Sequence, residues 1–442
     1  MLLLYWLIFI MPLEEHSFWG MELFHTLTIP KLLGIACVAA ALMRIAISGK
    51  APQLFYARQA PWYGALLAIQ LASYFVPGRH LMFGVMAYSH VLSIAGLFIV
   101  VLAMVDSEAR LYRTLLIAIA GMGFASLYAI RQAQKYGSFG FRSSAMFQDS
   151  NEYALLADLW LPLAFLWMVS SRPKWERFLC FICFCSILLG STFASSRGGL
   201  LGLAAAILLI IWRSHSRVKK FLTIGVILVP LMVLLPVSAL RRLRHPGYSD
   251  VIAEQARTIV WKAGLRMIAQ HPIAGVGLHN FKPLVGQYEP DGEEVISLAH
   301  NTYIEIAAEL GIPGLLAFLG VLAVSFRSLE LSRRKAFAIQ ATHLASVLLG
   351  LEAGLVSFIV SAFFVTVWWE KLVWLLLFTS MASNRLVDAR LRRQRRDTPQ
   401  DRRTVAIPDR LPAQEWQAGE KAYTVSGCSA HSIAIVETRG NL

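Results

Sequence analysis

The chain has 442 residues, of which 57% are hydrophobic and only 15% charged, and its net charge is +14. Soluble domains carry roughly 25% charged residues and roughly 45–50% apolar ones, so a soluble enzyme of ordinary composition is excluded. The positive charge has to be placed relative to a membrane before it is read as a nucleic-acid footprint.

Crossing a bilayer takes roughly 20 mostly apolar residues as a helix. Apolar blocks of that kind fall near residues 2–13, 27–47, 62–76, 81–105, 111–130, 153–170, 176–190, 198–212, 220–239, 302–326, 336–361 and 363–383. The expected fold is all-α and polytopic, with about twelve transmembrane helices, because a helix satisfies its own backbone in lipid. The first block is short, and Met1–Trp6 lacks the basic residues of a cleaved signal peptide.

With the N-terminus inside, the inner loops hold Lys50, Arg58, Arg110, Arg113, Arg172, Lys174, Arg177, Arg213, Arg217, Lys219, Lys220, Arg327, Arg333, Arg334 and Lys335. The outer short loops hold only Arg79, Arg131, Lys135, Arg142 and Arg197. That bias predicts both termini in the cytoplasm. The organisation read from it is a first set of helices over 1–239, a long periplasmic loop over 240–301, and the last helices over 302–383. A basic cytoplasmic tail over 384–442 lacks periodicity and reads as mostly disordered.

Inside the blocks, Cys180, Cys183 and Cys185 have a metal-like spacing without partner ligands nearby, so they read as small core residues. Asp158, Glu352, Glu370, His90 and His343 read as helix-to-helix hydrogen-bonding groups, with a proton path as the sharper alternative. His16, His25 and His80 are scattered, and Asp291–Glu294 reads as a solvated loop. No metal site is expected.

The informative residues gather on the outer side. Arg197, in Ser195-Ser196-Arg197-Gly198-Gly199, ends a block, and the glycines after it permit close backbone approach. Glu254–Gln270 reads as an amphipathic helix with Arg257 and Trp261 on one face, and Arg266 further along. Guanidinium groups hold phosphate oxygens bidentately and stay charged; interfacial arginines also snorkel to headgroups, and both readings stand for all three. His271-Pro272-Ile273-Ala274-Gly275-Val276-Gly277 lacks the preceding strand and third glycine of a dinucleotide loop, and no Walker motif occurs.

His300-Asn301 opens a helix at the membrane face, and Gly311-Ile312-Pro313-Gly314 breaks or re-aims it. The helix N-terminus, with its free N–H groups and partial positive charge, favours a neutral imidazole able to take a proton from a hydroxyl.

These motifs together resemble the O-antigen ligase superfamily, which includes O-antigen ligases, O-antigen polymerases and protein O-oligosaccharyltransferases. His300-Asn301 with Gly311 and Gly314 looks like the family signature, and Ser196–Gly199 resembles its Ser-Arg-Gly-Gly step. Arg257-x-x-x-Trp261 with His271–Gly277 and Asn280-Phe281 is similar to its loop signature. Asn151-Glu152-Tyr153-Ala154 resembles its Asn-x-x-Ala element. The likeness is concentrated in 148–314.

The resemblance implies a GT-C-like, inverting glycosyltransferase of the bacterial inner membrane, working on the periplasmic face without cofactor, nucleotide or metal. Its donor would be a glycan on undecaprenyl diphosphate. His300 would be the base, and Arg197 and Arg257 would hold the diphosphate. Arg266 is the alternative loop arginine, and Asn301, Trp261 and Asn151 would line the substrate site. The acceptor would be lipid A-core for a ligase, or another repeat unit for an O-antigen or exopolysaccharide polymerase. A lipid-linked glycan flippase is the alternative of another class; it would place functional charges at mid-membrane depth. Membrane lipids are expected partners and nucleic acid is not.

Overall fold

The computed structural model describes residues 1–14, 28–48, 57–75, 81–136, 141–213, 225, 248–289 and 297–397. The expected span 220–239, Asp291–Glu294, His16, His25, His80 and the tail beyond 397 lie outside the described residues. Every regular element among the described residues is a helix. In chain order these are α1 (Leu2–Ile10), α2 (Ile29–Ser48), α3 (Ala60–Ala72), α4 (Leu81–Met104), α5 (Glu108–Tyr136), α6 (Ser150–Met168), α7 (Lys174–Ala194) and α8 (Arg197–Arg213). There follow α9 (Tyr248–Gln270), α10 (Phe281–Tyr288), α11 (Thr302–Ala338), α12 (Thr342–Ser361) and α13 (Lys371–Asp397).

Among the described residues, six helices are long and apolar enough to cross a membrane: α2, α4 from Ala87, α5, α7, α11 and α12. This is an all-helical membrane protein, with fewer spans evident by length and composition than the sequence suggested. The reasons differ by helix. Among the described residues α3 has 13 residues and α8 has 17, where each of the six has 18 or more. α6 carries Glu152 and Asp158 but is buried along almost its whole length, a central helix wrapped by α5, α7, α8 and α12.

Close packing around α6 comes from small residues. Gly350 and Gly354, one turn apart on α12, lie against it; a β-carbon on Gly350 would stand 2.8 Å from the Leu163 α-carbon. On α5, Gly123 lies so close to Cys183 that an added β-carbon would sit 2.8 Å from its sulfur, so this cysteine is a packing residue. Asp158 joins α6 to α7 by accepting from Ser191 at 2.8 Å. His343 makes no such link among the described residues; its ring packs edge-on between Tyr112 and Trp167.

Several boundaries differ from the sequence expectation. α11 continues to Ala338, so Arg327, Arg333, Arg334 and Lys335 ride on a helix rather than in a loop. Their charges are met there: Glu330 accepts from Arg213 at 3.0 Å and Arg334 at 2.6 Å, and fully buried Glu352 pairs with Arg333 at 2.9 Å. Residues 362–370, expected to begin a span, are not helical, and Glu370 lies in this segment. α13 passes residue 384 and runs to Asp397, cross-linked by Arg390 to Glu108 at 2.9 Å and by Lys335 to Asp388 at 2.7 Å. Met1–Arg393 form one compact unit.

Candidate functional site

The site grows from the start of α11. Asn301 is the N-cap: its side-chain oxygen accepts from the backbone N–H of Tyr303 at 3.0 Å and of Ile304 at 3.1 Å. The residue before it, His300, has a left-handed backbone with φ 47°, a conformation that persists only where the surroundings over-determine it. They do so here. The N–H of Ala299 donates to Glu305 Oε2 at 3.0 Å, and its carbonyl accepts from the Trp261 indole at 2.8 Å. Glu305 also accepts from Thr366 Oγ1 at 2.6 Å, and its other oxygen has no partner among the described residues.

The His300 ring is half-buried, with Nε2 3.4 Å from Ser297 Oγ. Burial pushes its pKa down; the Asp149 carboxylate works against that shift and the Arg257 guanidinium adds to it. A lowered pKa favours the neutral imidazole, the form that can accept a proton.

Gly311 breaks α11 with φ 71° and ψ −179°. Pro313 has no N–H for the Glu309 carbonyl, and the Ile312 N–H turns away to Pro272 at 2.8 Å. The loop after α9 supplies both missing donors: Val276 N–H reaches the Ala308 carbonyl at 2.8 Å, and Gly277 N–H the Glu309 carbonyl at 3.0 Å. Gly275 (φ 66°) and Gly311 meet backbone to backbone, where a side chain on either would overlap the other segment's carbonyl. The Gly-x-Gly step is thus a dock for the kink. Glu309 completes it by accepting from the Phe281 N–H at 3.2 Å.

The non-helical 362–370 segment links this end of α11 to α8. Thr302 donates its N–H to Ala362 at 2.9 Å and its hydroxyl to Val365 at 2.8 Å. A β-carbon on Gly198 would stand 2.7 Å from that of Phe364, and Ser361 bonds the Gly198 carbonyl at 3.1 Å. Arg197 opens α8 here, exposed and without a hydrogen bond or ion pair among the described residues.

Asn151 and Arg142 belong to the same end. Asn151 accepts from Arg142 at 2.6 Å, while Arg142 also donates to the last carbonyl of α7, Ala194, at 3.0 Å. Asp149 caps α6 by accepting the Asn151 N–H at 2.6 Å.

His300, Asn301, Trp261 and Arg257 are therefore brought together, and Arg197 and Asn151 share their end of the bundle. Arg266 is not part of this group. It pairs with Glu289 at 2.7 Å and holds the Tyr288 carbonyl at 2.7 Å, clamping the end of α10. Sequence reasoning missed Asp149, Glu305 and His279. His279 stacks on Trp369 with ring centroids 4.9 Å apart, and burial, with His90 alongside, pushes its pKa down to about 4. Its only sequence signal is its place between Gly277 and Asn280.

No curated protein matches the chain. Residues 178–319 match the family model described as O-antigen ligase, a stretch that runs from α7 past the kink of α11 and contains Arg197, Arg257, Trp261, Arg266, His300 and Asn301. That match, falling on the segment that builds this site, is consistent with a member of the O-antigen ligase superfamily.

Proposed function

We propose that the protein is a periplasm-facing glycosyltransferase of the inner membrane that moves a glycan from undecaprenyl diphosphate to an acceptor hydroxyl, as an O-antigen ligase does to lipid A-core. The observation that carries this reading is the placement of His300, its pKa pushed down by burial, at the start of α11 beside Arg257 and at the same end as Arg197, which has no partner among the described residues. A GT-C-like bundle of about twelve spans with both termini inside belongs to the same reading.

The acceptor hydroxyl gives its proton to the imidazole as its oxygen attacks the anomeric carbon. The bond from that carbon to the diphosphate oxygen breaks, and the configuration inverts. Arg197 and Arg257 hold the diphosphate and offset the charge that gathers on it as it leaves.

Purified protein in detergent, supplied with a lipid-linked glycan and candidate acceptors, tests this directly. Loss of His300 in His300→Ala should slow transfer by about 10²–10⁴-fold, the usual worth of a positioned base. Undiminished transfer by that variant would sink the assignment. A polymerase of the same superfamily would share this site. Loss of banded polysaccharide with short glycan still attached to lipid A-core in a deletion strain would identify it.

A further inference from the structure

Far from His300, the C-terminal part of α11 closes a polar cavity. Thr302 and Lys335 are separated by about 50 Å of helix at 1.5 Å per residue, so this cavity lies at the opposite end of the bundle. Its volume is about 180 Å³, and Arg58, Gln59, Lys335, Asn384, Arg385, Arg392 and the single carboxylate of Asp388 line it. That is ample for several waters or a tetrahedral anion, since a water occupies about 30 Å³ in the liquid.

Two observations make it a site rather than a gap. Gln59 is fully buried, yet neither its amide oxygen nor its nitrogen has a partner among the described residues, and both polar atoms of Asn384 are in the same position. Buried amides are rarely left unpaired, and the side-chain nitrogens of Gln59 and Asn384 are placed to donate to an anion or to water. The second is charge. Lys335 is paired with Asp388, and Arg385 is committed to the Leu102 and Val105 carbonyls at 3.1 and 2.9 Å. Arg58 and Arg392 are exposed at the rim and have no hydrogen bond or ion pair among the described residues. Gln59 is also the N-cap of α3 without a side-chain cap, so a helix N-terminus adds its positive end.

We propose that this cavity binds a phosphate-bearing anion, supplied either as the headgroup of an acidic phospholipid or as free phosphate. Buried amides at its floor would donate to the phosphate oxygens, and the rim arginines would pair with its charge.

The test uses the full chain exchanged into neutral detergent, titrated with phosphatidylglycerol, phosphatidylcholine or inorganic phosphate and followed by native mass spectrometry and thermal unfolding. Phosphatidylglycerol bound more tightly than both others identifies the headgroup source; phosphate bound without lipid preference identifies the free anion. In either case the pair Arg58→Gln/Arg392→Gln should weaken binding about thirty-fold, at about five-fold for each arginine beside an anionic group. Gln59→Leu, which keeps the charge, should weaken it as well. The pair Arg113→Gln/Lys174→Gln removes equal charge from exposed positions outside the cavity and should leave binding intact. Wild-type protein that binds neither lipid nor phosphate, or equal losses in the two charge pairs, would overturn the proposal. Should Gln59→Leu fail to fold, the two charge pairs still decide.

Discussion

The indole nitrogen of Trp261 stands 2.8 Å from the carbonyl oxygen of Ala299, the residue before His300. Glu305 holds the N–H of the same residue at 3.0 Å, so α9 and α11 both fix the backbone that presents the imidazole. Trp261 is a positioning residue on this geometry. Trp261→Phe keeps the apolar ring and deletes the donor. It should lower kcat about tenfold and leave the donor KM alone, since a displacement near 1 Å can cost about 10²-fold. A raised KM with unchanged kcat would mean that the indole touches the donor instead.

The charges around His300 predict opposite pH shifts. Only the neutral imidazole can act as base, so kcat/KM should fall on the acid side as pH drops through a pKa below the ordinary value of about 6.5. Asp149 holds that pKa up, so Asp149→Asn should move the acid limb to lower pH; asparagine still caps α6. Arg257 holds it down, so Arg257→Gln should move the limb to higher pH and weaken donor use as well. Rate profiles of the three proteins check both signs. Limbs that coincide would show that another group titrates.

What could be read in advance follows from range along the chain. Most apolar blocks on described residues and the His300-Asn301 cap are local features and emerge where the residues themselves set them, whereas 363–370, read as the start of a span, is not helical. Helix ends were harder. α11 carries Arg333 past its expected limit because Glu352 on another helix neutralises it, a partner that no local pattern announces. The site splits the same way. Asp149 acts on His300 from about 150 residues away in the chain, and Arg257 and Arg266 are chemically alike on one helix until Glu289 is seen to occupy the second. The Gly-x-Gly loop was visible as glycines, but its purpose lies in the Ala308 and Glu309 carbonyls that the kink at Gly311–Pro313 leaves free.

Arg197 and Arg266 should therefore separate in function. Arg197 is exposed and unpaired among the described residues, whereas Arg266 is already matched by Glu289. Arg197→Gln should cut kcat/KM for a diphosphate-linked donor by about 10²-fold, the scale on which charge-stabilising donors act. Arg266→Gln loses a half-exposed pair and should cost at most about 1 kcal/mol of stability, with transfer largely retained. Transfer assays beside thermal unfolding of each variant distinguish the two. Equal losses of activity would return Arg266 to the site.

The dock between Gly275 and the kink of α11 predicts the largest structural effect. At Gly275 the positive φ alone costs a side chain about 1–2 kcal/mol, and the new β-carbon would overlap the Glu309 carbonyl that Gly277 must bind. Backbone cannot yield as a flexible side chain can, so Gly275→Ala should destabilise the protein by more than about 2 kcal/mol. It should also lower transfer, because the loop that leaves Glu309 carries Phe281 and His279 with it. Gly34→Ala is the matched control: its β-carbon meets open space inside α2, where alanine is the better helix former by about 1 kcal/mol. Thermal unfolding in detergent should show Gly275→Ala well below the parent and Gly34→Ala at or above it. A Gly275→Ala protein as stable and active as the parent would show that the kink does not need this contact.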